Sequence, residues 1–192
     1  YAGITISWSA SGTYYVDMVS IQEGTAASYD EARAVTVFLE PNKTNFISNP
    51  SFEVNATDGW TSTGSVTITT DTDVSSEAYS GSNSAKLVAT GSWTYSADKV
   101  DVNVGTYYTA SVYAKTSGTF DIKIKTYDES DTLLTTSSAT VTGNGSWNRY
   151  YFTSLVDANS TATKIEMSLS GASGTYYVDC VQFVNTYSLT EY

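Results

Sequence analysis

Histidine is absent from the 192 residues, and cysteine occurs once, at Cys180. The first absence removes every His-based catalytic triad and the commonest metal ligand. A lone cysteine cannot build a disulfide framework. Cys180 sits in an extended apolar segment without cationic neighbours and reads as a small buried hydrophobe, not a reactive thiol. Cations are also scarce, nine Lys and Arg against twenty Asp and Glu, for a formal charge of −11. Phosphate neutralisation needs clustered cations, so the balance argues against nucleic acid as a partner, and an anionic membrane surface is disfavoured for the same reason. No apolar run reaches the ~18 residues of a spanning helix, so no membrane insertion is expected. The acidity reads as a solubility feature.

One phrase is written twice. Gly12-Thr13-Tyr14-Tyr15-Val16-Asp17 returns as Gly174-Thr175-Tyr176-Tyr177-Val178-Asp179, a spacing of 179 − 17 = 162 residues. That is the length of a domain and too long for a solenoid period. Apolar residues match on both flanks: Ile4, Ile6 and Trp8 against Ile165, Met167 and Leu169, and Met18 to Ile21 against Cys180 to Phe183. Residues 1–24 are therefore expected to be the closing two strands of a preceding module. Residues 25–44, with Glu40-Pro41-Asn42-Lys43 as a turn signal, form either a linker or an inter-module strand. Residues 45–192 are one complete module, and the chain is expected to stop near where another would begin.

Within that module the hydrophobic period is two. Tyr108, Ala110, Val112 and Ala114 alternate with Thr109, Ser111, Tyr113 and Lys115. Phe120, Ile122 and Ile124 alternate with Asp121, Lys123 and Lys125, and Ile165, Met167 and Leu169 with Glu166, Ser168 and Ser170. Each segment is a strand with one apolar face. Ser117-Gly118, Gly143-Asn144-Gly145 and Ala172-Ser173-Gly174 are turn signals between them. About nine such strands with hardly any helix predict an all-β fold, an antiparallel β-sandwich.

Five phrases in fixed order carry a more specific resemblance. The first is Asn49-Pro50-Ser51-Phe52-Glu53 with Gly59-Trp60 close behind; then come Ser80–Leu87, Val104–Lys115, Gly145–Tyr150 and Tyr176-Tyr177-Val178-Asp179. Together, over about residues 45–184, they resemble carbohydrate-binding modules of the family 4 and 9 type. The resemblance implies a jelly roll, and tandem copies of such modules occur in bacteriophage virion proteins. It also implies a structural calcium ion bridging the opening and closing strands, with Glu53 and Asp179 at the matching acidic positions.

Catalysis is not expected. The acidic groups Asp128/Glu129/Asp131 and Asp71/Asp73 lie in polar turns, where nothing would desolvate one carboxyl and make it an acid. Aromatic rings remain: sixteen Tyr, six Phe and four Trp. Trp60 and Trp147 are expected as core or rim packing. Trp93 and Tyr95, among small residues, are expected to be partly exposed, and Tyr113 and Tyr127 to face outward on the polar phase of their strands. These four could line a sugar cleft, since a flat ring with an apolar face and a polar edge suits a pyranose. They could equally be cross-strand pairs on a Tyr-rich surface. The expected function is a non-enzymatic virion structural or adhesion module, a phage tail fibre or capsid appendage. Its partners would be host-surface or extracellular glycans and other copies of the module. The alternatives are a polysaccharide-binding module of a secreted glycoside hydrolase and a purely structural surface module.

Overall fold

A computed structural model describes residues 44–72 and 78–187. The repeat strands expected at 1–24 and the linker or strand expected at 25–44 lie, Thr44 apart, outside the described residues. Nine strands follow one another: β1 (Trp60–Asp71), β2 (Ser84–Ala97), β3 (Val100–Asp101), β4 (Tyr107–Lys115), β5 (Thr119–Tyr127), β6 (Leu133–Thr142), β7 (Asn148–Leu155), β8 (Lys164–Gly171) and β9 (Gly174–Val184). All pairings are antiparallel. No helix occurs among the described residues.

The strands form two layers that share one strand. β6-β5-β8-β2 is the first layer and β2-β9-β4-β7 the second, with β1 along β2 and β3 beside β8. β2 serves both because its first half, Ala85–Ala89, pairs with β9 while its second, Trp93–Ser96, pairs with β8. The β1–β2 hairpin therefore turns the corner of the sandwich, and β1 shifts register there between Gly64 and Val66. Gly64 has φ +92°, and a Cβ at that position would run into the Ser92 carbonyl oxygen. Only glycine fits such a close backbone approach.

The predicted alternation places the core. Tyr108, Ala110, Val112 and Ala114 of β4 are buried, as are Phe120, Ile122 and Ile124 of β5 and Ile165, Met167 and Leu169 of β8. Tyr176, Val178, Val181 and Phe183 complete it from β9. Each large side chain contributes roughly 1.5–3 kcal/mol by leaving water.

The opening segment closes one end of this core. Phe46 donates its N–H to the Phe183 carbonyl at 2.8 Å, and Val181 donates to Pro50 at 2.7 Å. Phe52 lies 5.5 Å from the Trp60 ring, which stacks on Tyr95 at 4.6 Å.

Cys180 is buried and forms no disulfide, but it does not continue the alternation. β9 bulges between Asp179 and Gln182, where two of its residues oppose one of β4. Cys180 there has φ +47°, and its N–H is taken up by its neighbour, donated to Asp179 Oδ1 at 2.6 Å. A left-handed non-glycine residue is strained and persists only when its surroundings hold it.

Candidate functional site

Each layer turns one face to the core and one outward, and the two outward faces differ in chemistry. On the first layer the outward positions of β5, β8 and β2 lie in rows: Asp121 beside Ser170 and Thr94, Lys123 beside Ser168 and Ser96, Lys125 beside Glu166. In an ordinary solvated sheet these residues would be exposed. Instead Ser168, Ser170 and Glu166 are buried, although they face away from the core. The face is recessed, and its floor is built of hydroxyls and paired charges.

Asp121 organises one end of it. It accepts from the Thr140 hydroxyl at 2.6 Å and from the Ser170 hydroxyl at 3.4 Å, with the Lys123 ammonium at 3.5 Å. Above this row opens a groove of about 420 Å³, lined by Thr94, Asp121, Lys123, Thr140 and Ser170, with Trp93 and Phe120 at its end. At the other end Glu166 accepts from Lys125 at 2.9 Å and from the Tyr127 hydroxyl at 3.0 Å. Burial, then the Glu166 charge, push the Tyr127 phenol well above its ordinary pKa. The Ser168 hydroxyl, between the two pairs, is buried without a hydrogen-bond partner. A buried hydroxyl left unpaired costs free energy; Ser168 lies one row from the groove and does not line it.

The second layer's outward face carries rings and a loop. Arg149 of β7 donates to Ser111 at 3.1 Å and to Gln182 at 2.5 Å. The loop 78–83 lies over β4 and β9, held by two acidic side chains. Asp179 Oδ2 accepts the Tyr79 and Ser80 N–H groups, each at 2.9 Å. Glu53 Oε1 accepts those of Ser82 and Asn83 at 2.9 and 3.0 Å. Gly81 fits between because a Cβ there would meet the Glu53 carboxylate. Glu53 and Asp179, the expected calcium ligands, thus converge on one loop from opposite ends of the module. Asp179 is fully buried, and burial raises its carboxyl pKa although three main-chain N–H groups oppose the shift. Among the described residues no third acidic side chain joins the pair. A calcium ion here would draw its remaining oxygens from backbone carbonyls and water.

The four aromatic residues expected to line one cleft are not brought together. Trp93 is 3% exposed and Tyr95 0%, so the expectation that they are partly exposed is corrected. β2 is flanked on both sides, and its small residues Thr94 and Ser96 point outward while the rings point into the core. Trp93 packs edge-on against Tyr176 and donates its indole N–H to Ala172 at 2.9 Å. Tyr113 and Tyr127 do face outward, but from different layers. Tyr113 stacks under Tyr79, and Tyr127 lies in the recessed face under the Lys99 ammonium, 3.9 Å from the ring centre. Two members of the acidic groups lie in ion pairs. Asp131 bridges to Lys164 and Lys99, which hold its carboxyl below the usual range. Asp71 pairs with Lys86 at 3.1 Å, and Asp73 lies outside the described residues.

A family model described as a carbohydrate-binding domain matches residues 44–175. The chain belongs to this family. Solved structures share the fold of the module at low identity. Tailspike protein 4 of bacteriophage CBA120 superposes with a TM-score of 0.62 at 21% identity, over 73% of this chain and 21% of that one. The second family 16 carbohydrate-binding module of a solved structure gives 0.58 at 16%, over 73% and 100%. The C-terminal family 22 module of Clostridium thermocellum Xyn10B gives 0.54 at 22%, over 74% and 94%. The chain thus spans about a fifth of the tailspike protein and nearly all of the free-standing modules. A search of curated proteins finds no match. The recessed first-layer face sets convergent donors and acceptors in a concave surface.

Proposed function

We propose that the groove over Asp121, Ser170 and Thr94 holds a glycan, and that the chain is a non-enzymatic adhesion module of a larger extracellular assembly, such as a phage tail fibre or capsid appendage. The carrying observation is the groove of about 420 Å³ on a face turned away from the core, floored by the buried Ser170 and lined by Thr94, Asp121, Lys123 and Thr140. The repeated Gly-Thr-Tyr-Tyr-Val-Asp phrase and the likeness to a tailspike protein support the appendage reading. In a multi-module appendage each groove need bind only weakly, because linked sites add through effective concentration. A second reading, a polysaccharide-binding module attached to a secreted glycoside hydrolase, is favoured by the likeness to modules of xylanase Xyn10B.

Electrophoresis through gels containing xylan, β-1,4-galactan or bacterial capsular polysaccharide tests both. Wild type should be retarded by at least one polymer, and Ser170→Arg should migrate freely. The arginine would pair with Asp121 and fill the groove, leaving the melting temperature unchanged within a few degrees. Retardation by capsular polysaccharide supports the appendage, and retardation by xylan alone the hydrolase module. Equal retardation of both proteins places the glycan elsewhere, and no retardation on any polymer leaves a purely structural module.

Calcium at Glu53 and Asp179 is a companion proposal. Calcium should raise the melting temperature of wild type, EDTA should lower it, and Asp179→Asn should abolish the difference. A melt of wild type indifferent to EDTA rejects the ion.

A further inference from the structure

The groove offers a ligand no open ring. Trp93 and Phe120, the aromatic residues that line it, are each only 3% exposed. An exposed ring of a different kind lies on the opposite layer. Tyr79 is 44% exposed and lies flat on Tyr113, with ring centres 3.6 Å apart and planes inclined by 16°. One face of Tyr79 is thus backed by another ring.

We propose that Tyr79 is the platform of a second carbohydrate site, opposite the groove, which takes the apolar face of a neutral pyranose. This inference rests on the reading of the module as glycan-binding.

Three features support it. The platform is preorganised: the Tyr79 and Ser80 N–H groups are clamped by buried Asp179, and Ser82 and Asn83 by Glu53. A ring fixed before binding loses little freedom when a sugar settles on it. A hydrogen-bonding cation lies beside the stacked pair. The Arg149 guanidinium lies 5.8 Å from the centre of the Tyr113 ring, oriented by Ser111 and Gln182. Finally, the Trp147 ring lies 6.1 Å from Tyr79, and its indole N–H is buried without a partner. The indole flanks the platform as a further aromatic surface. Charge sets the ligand class. A chain of net charge −11 repels acidic polysaccharides, whereas the C–H face of a neutral pyranose meets a π face without electrostatic cost.

The test uses the full chain carrying Ser170→Arg, so that the groove is blocked. It is titrated with xylohexaose, β-1,4-galactotriose and cellohexaose while tryptophan emission is followed, with Trp147→Phe as the control that assigns the signal. At least one sugar should still shift the emission. Adding Tyr79→Ala should weaken that binding about tenfold or more, consistent with loss of one aromatic contact, with an unchanged melting temperature. Tyr79→Trp should retain binding. If the blocked chain binds none of the sugars, or Tyr79→Ala leaves the affinity unchanged, the second site is rejected while groove binding by wild type stands. If wild type itself binds none, both sites are rejected.

Discussion

Tyr95→Ala should destabilise the module by about 3–5 kcal/mol, the range for truncating a large buried aromatic side chain. Tyr95 is fully buried, stacks on Trp60 at 4.6 Å and lies 6.2 Å from Phe52. Its hydroxyl donates to the Ala56 carbonyl, and burial pushes the phenol pKa far up, so it stays neutral. The substitution removes the ring and leaves that carbonyl unpaired. For a domain of this size each kcal/mol moves the melting temperature by about 2–4 °C, so a drop of about 6–20 °C is expected. Tyr95→Phe should cost only about 1 kcal/mol, the worth of one hydrogen bond. Urea unfolding of the three proteins separates this role from a binding role. A surface tyrosine that stacks a sugar would lose affinity on truncation and keep its unfolding midpoint. An unchanged midpoint for Tyr95→Ala would overturn the packing described here.

Asp179→Ala should cost about 3 kcal/mol. Its carboxylate accepts three main-chain N–H groups, of Tyr79, Ser80 and Cys180. Hydrogen bonds to a charged group contribute roughly 1.5–3 kcal/mol each, and the cost of burying the charge offsets part of that sum. Asp179→Asn should be milder but still destabilising, because its amide nitrogen would face an N–H donor.

The pH dependence has a defined sign. Burial raises the native carboxyl above its ordinary value of 3.8. Between that value and the raised one the native state therefore holds more protons than the unfolded state, and this group's stability contribution falls as pH rises. The gap between wild type and Asp179→Ala should be widest below pH 4 and narrow as pH rises through the native pKa. A bound calcium ion would favour the ionised form and reverse the slope, so the curve measured in EDTA and in calcium reports on the ion as well. A gap that widens with pH in EDTA would contradict the burial-dominated carboxyl.

Much of the fold was legible because it depends on a period of two. The apolar faces of β4, β5 and β8 and the turns around Gly118 and Gly145 follow from residues close in sequence. β2 shows where that logic failed. Gly91, Ser92, Thr94 and Ser96 suggested open rings at Trp93 and Tyr95, whereas the small residues are the ones facing outward and the rings fill the core. Small hydroxyl residues between two aromatics are what a groove floor beside a packed core requires, so the signal was present and its direction misread. The groove itself was not legible. Asp121, Lys123, Glu166 and Ser168 were identifiable as the polar phase of two strands. Their meeting depends on the register of β5 against β8, set by segments about 45 residues apart. The place of Tyr79 depends on contacts with Asp179 across 99 and 100 residues of chain. No local pattern announces either.

Glycan binding in the recessed first-layer face is tested most directly by amide chemical shifts of the isotope-labelled chain, followed as an oligosaccharide of whichever polymer retards it is added. The largest changes should fall on Thr94, Asp121, Lys123, Ser168 and Ser170, with a smaller set around Tyr79, and Ser170→Arg should erase the first set alone. Saturable binding with no perturbation along β5 and β8 would contradict the groove as the carbohydrate site.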